Sequence, residues 1–200
     1  MIVFKITYDT SVVSDFAPTF NSGYTYTTKT STSGTLKTVT YESDTAFTAI
    51  SIPNDNRNCV KSVYIDLSGV TNVYNLFVSC REMTEFIAVN ATSKLTSLGQ
   101  ITFDCAKLTH ITYENCDLSG VTSIQNIFQT GAMQVVTNAT FKNVKFNNTT
   151  KSMISLLCKA TTMVVEDCDF SSVTSFYQMF ANCVGLKGTL DLSMYDILRI

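Results

Sequence analysis

The chain has 200 residues, 45% of them hydrophobic and only 15% charged, with a formal net charge of −2, so it can bury a core yet carries no strong field. It has no run of five basic residues and no apolar stretch near the ~18 residues that cross a bilayer, so nucleic-acid binding and membrane insertion are not expected. Polarity comes from hydroxyls instead: 30 Thr and 20 Ser make up a quarter of the chain, and β-branched Thr favours strands.

Residues 1–59 read as an N-terminal β segment. "VFKITY", "YTYTTKT" and "LKTVTY" alternate, "TAFTAISI" comes after them, and Gly23, Ser33-Gly34 and "PNDNRN" supply turns. Three or four strands are expected, either as a cap on the open edge of a repeat array or as a docking module. The opening "MIVFKITYDT" holds Lys5 and Asp9 and reads as a strand rather than a secretory signal.

Residues 60–200 repeat. "DLSGVTNVYNLF" starts at Asp66, "DLSGVTSIQNIF" at Asp117 and "DFSSVTSFYQMF" at Asp169. Ahead of the last two lie "LTHITYENCDL" (108–118) and "ATTMVVEDCDF" (160–170), with "VTNATFKNVKF" (136–146) between them. All three fit the apolar pattern L-x-x-L-x-L-x-x-(N/C)-x-L. Residues 60–70 fit with Val60, Val63, Ile65, Ser68 and Val70. Looser copies run through Phe86 and Ala88 and through Leu190 and Leu192. The second apolar strand position falls at Ile65, Ala88, Tyr113, Phe141, Val165 and Leu192, in steps of 23, 25, 28, 24 and 27 residues. This lies within the roughly 20–29 residues of leucine-rich repeats, and six repeats are expected.

After each strand comes an apolar pattern at helical spacing: Val70, Val73, Leu76, Phe77 and Cys80, then Leu95, Leu98, Ile101 and Cys105. Val121, Ile124, Ile127 and Phe128 continue it, as do Val173, Phe176, Met179, Phe180 and Cys183. Short helices are expected there, with Thr71, Thr96, Thr122 and Thr174 as N-caps and Gln125 at capping-box spacing from Thr122. The copy near 150–163 is poorly formed, and "QTGAM" at 129–133 loses the cysteine. The expected fold is an α/β repeat: a leucine-rich-repeat solenoid with a parallel sheet and short helices, preceded by the N-terminal β segment.

The stretch "VTSFYQMFANCVGLKGTLDLSMYD" at 173–196 resembles the BspA-like leucine-rich repeats of bacterial and phage surface proteins through Met179, Phe180, Cys183, Leu186, Leu190, Asp191, Leu192 and Ser193. Phe77 and Cys80 match in the first copy, and the resemblance spans about residues 60–200. It implies a parallel-sheet solenoid used in adhesion and protein contact, with no catalysis.

Nothing in the sequence amounts to an active site or a cofactor motif. Glu114, Asp117, Glu166, Asp167 and Asp169 recur at matching positions, but Lys142 and Asn143 stand between them, so turn capping is expected rather than metal binding. His110 has no nucleophile or acid in a recognisable setting. The seven Cys lack metal-ligand spacing and are expected as buried free thiols. Cys116 and Cys168 stand about 10 Å apart at a ~4.8 Å strand spacing, beyond the ~7 Å that a disulfide spans. The candidate partner surface is the set of positions pointing outward from the sheet: Tyr64, Asp66, Ile87, Thr112, Glu114, Thr140, Lys142, Val164, Glu166 and Asp191. Its mixed character suits a protein or glycan partner. The apolar end "YDILRI" invites pairing with another chain, so a homo-oligomer or larger assembly is possible. Low charge, abundant hydroxyls, no secretory signal and an adhesin-like repeat point to a phage virion accessory on the head or tail, contacting other virion proteins or a host surface. A bacterial surface or secreted adhesin is the alternative.

Overall fold

The computed structural model describes residues 2–128, 136–181 and 183–187. A solenoid stacks β6 (Val60–Asp66), β7 (Glu85–Val89), β8 (His110–Asp117), β9 (Asn138–Asn147), β10 (Thr162–Glu166) and β12 (Leu186–Lys187) in parallel, each strand beside the next in sequence. Ile65, Ala88, Tyr113, Phe141 and Val165 are partners across five strands, in the register the repeat spacing predicts. Two residues before each stand Val63, Phe86, Ile111, Ala139 and Met163, and all ten side chains are at most 3% exposed. This is the period-2 alternation of a strand with one face on the core.

The last strand departs from expectation. Leu186 pairs opposite Met163, in the position where the pattern puts Leu190. Leu190, Asp191 and Leu192 fall outside the described residues, as do residues 129–133.

Among the described residues the expected short helices are absent. Over 70–80, 96–105 and 121–128 the chain runs as linked turns, with Leu76, Ile101 and Ile127 donating N–H to the carbonyl three residues back. Asn75, Ser79, Gln100, Asp104 and Asn126 are left-handed, with φ between 53° and 61°. Every second N–H then leaves the coil: those of Val73, Asn75, Phe77 and Ser79 donate to the carbonyls of Ser97, Gly99, Ile101 and Phe103 in the next. A helix would direct these donors to its own i−4 carbonyls; here the neighbouring coil takes them, and the apolar spacing survives in a different backbone. Among the described residues the one α-helix, α1 (Ser152–Leu156), lies in the copy that fits the repeat worst.

Nor do Thr71, Thr96 and Thr122 cap helices. The Thr96 and Thr122 hydroxyls donate to the carbonyls of Thr71 and Thr96, forming a ladder between coils. Capping falls to the next residue: Asn72, Ser97, Ser123 and Ser175 each accept the N–H two positions on. A second ladder runs through Thr84, Thr109, Thr137 and Thr161.

Two kinds of corner recur along the coils, numbered 1 to 5 from β6 to β10. Asn90, Asn115, Asn143 and Asp167 adopt left-handed φ of 50–59°, a conformation that short amide and carboxylate side chains tolerate best after glycine. Beyond it, β9 continues in register with Cys116 and Asp117 of β8, and β11 (Asp169–Ser172) pairs with β9. Coil 1 lacks this corner, so Leu67 rather than Ser68 fills its core slot. Asp66, Asp117 and Asp169 then make the second corner, each accepting the N–H of the Ser two residues on at 2.7–2.9 Å. A side chain at Gly120 would collide with the Ser93 carbonyl of the coil below.

Inside, rings run along the axis: Phe77, Phe86, Tyr113, Phe141, Phe146 and Phe170 have successive centroids 5.2–6.0 Å apart. Phe4 joins the column at 6.4 Å from Phe77. Phe4 belongs to β1 (Ile2–Asp9), which pairs antiparallel with β6, so the N-terminal segment extends the solenoid's sheet. Next come β4 (Leu36–Ser43) and, at the edge, β3 (Thr27–Ser33), completing ten strands. A two-stranded pair, β2 (Thr19–Phe20) and β5 (Ile50–Ser51), covers part of this segment, with Phe20 amid Tyr24, Tyr26, Tyr41 and Phe47. Arg57 donates to the carbonyls of Asn75 and Val78, satisfying acceptors in the turn stack of coil 1.

Candidate functional site

The outward sheet positions form rows because the register never slips between β6 and β10. Tyr64, Ile87, Thr112, Thr140 and Val164 are mutual partners, each half-buried, and Lys187 extends the row. A parallel row holds Asp66, Val89, Glu114, Lys142 and Glu166. Nine of the ten candidate residues therefore share one face, and Asp191 lies outside the described residues.

They are not equally available. Asp66 is only 6% exposed; its carboxylate accepts the N–H of Ser68 and the Asn90 amide at 2.6 Å, so it closes a turn rather than facing a partner. Val89, unmarked in the sequence, occupies the same row and is 4% exposed. Glu114 is half-buried, whereas Lys142 and Glu166 are exposed and 3.8 Å apart. Burial, and after it the charges of Asp66 and Glu114, pushes the Tyr64 phenol up.

The face does not stop at residue 60. β1 pairs Lys5 with Tyr64, the ammonium 5.8 Å from the ring centroid, and the row continues through Thr40 and Lys29. The alternation of "VFKITY" holds the signal for Lys5, but the sequence cannot say that this strand lies beside β6.

The remaining candidate chemistry resolves into structure. His110 is exposed, its ring nitrogens 2.8 Å from the Thr109 hydroxyl and 2.9 Å from the Asn138 amide. Lys145 lies 3.6 Å from Asp169, and Asn143 donates to Asn115, so the coil between the two acidic clusters contributes cations and amides. Among the described residues no three His, Cys, Asp or Glu side chains gather as metal ligands. All seven cysteines are free thiols, and burial pushes those of Cys80 and Cys116 up to about 12. Such thiols are protonated at neutral pH and are poor nucleophiles. Among the described residues, the depressions open to solvent include one of 310 Å³ at residues 25–27 and 42–45 and one of 440 Å³ that spans coils 2 to 5 around Asn115 and Lys145.

The face can offer half-buried apolar side chains edged by ions of both signs, a composition suited to packing contacts with a polar rim. Comparison with protein-family models, curated proteins and solved structures finds no match.

Proposed function

We propose that this chain is a non-enzymatic interaction protein that presents the outer face of its sheet to a protein or glycan. The observation carrying this reading is the row Tyr64, Ile87, Thr112, Thr140 and Val164, held in register and half-exposed across five strands. A stacked parallel sheet fixes its side chains with little conformational freedom, which lowers the entropic cost of binding. The leucine-rich-repeat spacing and the likeness of residues 173–196 to BspA-like repeats support an adhesive role. The low charge and abundant hydroxyls support a surface setting, and the setting we assign is the phage virion.

Mass spectrometry of purified virions should find the chain at the level of a structural protein; its absence would sink that setting. Ile87→Glu and Glu114→Lys, checked for fold by circular dichroism, should then be depleted from virions. Retention at wild-type level would move the contact off this face.

A further inference from the structure

Strand β3 is unlike the rest of the sheet. All seven of its residues are exposed, so neither face is covered, whereas every other described strand longer than two residues buries at least one side chain. It is also the edge of the ten-stranded sheet. An edge strand offers a row of backbone donors and acceptors that no strand of its own chain takes. The common protections are missing. β3 has no proline and no bulge, and it keeps seven consecutive pairs with β4. Its one charge, Lys29, is matched by Glu42 at 2.7 Å.

We infer that β3 pairs antiparallel with β3 of a second copy of this chain, about a two-fold axis at Thr30. In that register Thr28 meets Thr32 of the second copy, Lys29 meets its Ser31 and Thr30 meets its Thr30, so no like charges face each other. β-Branched residues fill the cross-strand pairs on the face that carries Val39 and Tyr41 in β4. The ends fit as well. The same register carries the hairpin tip of the second copy, its residues 33–35, to residues 25–27, where the 310 Å³ depression opens. The flanking Tyr26 and Leu36, now 44% and 38% exposed, would be covered in part. Strand meets strand and tip meets depression twice over, as an isologous interface requires. The product is a continuous sheet of twenty strands or more with a solenoid at each end.

Light scattering on the full chain across a concentration series should show a monomer–dimer equilibrium. Thr30→Asp sets two carboxylates face to face at the axis and should weaken dimerisation at least about tenfold. The monomer should keep its circular dichroism and Tm, because Thr30 is exposed. Thr30→Lys should behave likewise. An equimolar mixture of the two variants should recover dimers, since opposite charges then meet. A wild-type chain that stays monomeric to its solubility limit, dimers that survive Thr30→Asp, or a mixture that stays monomeric would each overturn the proposal.

Discussion

In the solenoid, Thr84, Thr109, Thr137 and Thr161 occupy one position of successive coils, and each hydroxyl donates to a carbonyl of the coil before. In β3, Thr27, Thr28, Thr30 and Thr32 face solvent on both sides of a strand that covers nothing. One residue type thus does two jobs. Where a coil lies below, the hydroxyl ties layers together; where none does, it keeps a strand wettable and β-prone. The difference comes from the neighbour and not from the residue, so composition alone could not separate them.

Substitution can break or sharpen this contrast. The largest effect is expected at the axis of the coils: Phe141→Ala empties the middle of the ring column, fully buried between Tyr113 and Phe146, and should cost about 3–5 kcal/mol in urea unfolding. No single change within β3 should approach that, and a cost below ~1 kcal/mol would deny the column its role. Gly120→Ala comes next. Its Cβ would press on the Ser93 carbonyl, so a loss of about 1–3 kcal/mol is expected, read as a lower urea midpoint at unchanged slope. The direct comparison is Thr109→Val against Thr30→Val. The first removes a bond to the Thr84 carbonyl and should cost about 0.5–1.5 kcal/mol, the second less than about 0.5. Equal losses would erase the distinction between the two regions.

The smallest effect concerns acid. The hydroxyl and N–H of Ser171, then Lys145, hold the Asp169 carboxyl below its ordinary 3.8. A carboxyl depressed in the fold contributes stability above its unfolded pKa and loses it as pH falls through the folded value. Calorimetry should show Tm dropping on acidification past that range, with Asp169→Asn making the drop slightly shallower.

Much of the fold is legible in the sequence because a coil cannot bury its own apolar face, and stacking demands that the same positions recur. Spacing alone finds Ile65, Ala88, Tyr113, Phe141 and Val165, and their register comes with it. The helical pattern misleads for a physical reason. Val73, Leu76 and Phe77 have helical spacing, but turns pivoting on left-handed Asn75 and Ser79 keep the same residues inward. Asn, Ser, Gln and Asp at those pivots are the available signal. Leu67 displaces Ser68 because coil 1 omits the corner that Asn115 provides in coil 3, an omission visible only once the strands are paired. The outward rows are legible for the same period-2 reason. The burial of Asp66 is not, since it depends on Asn90 of the next coil.

The Thr ladders have a direction. Each of these hydroxyls reaches back toward the N-terminus, onto a coil made earlier in synthesis. A coil leaving the ribosome therefore finds the acceptors of these hydroxyls already in place, whereas backbone donors such as the N–H groups of Val73 and Asn75 are met by the coil that follows. With the antiparallel β1–β4 layer translated ahead of the solenoid, these hydroxyl ladders can be laid down coil by coil in the order of synthesis, at the ribosome's pace of roughly 5–20 residues per second.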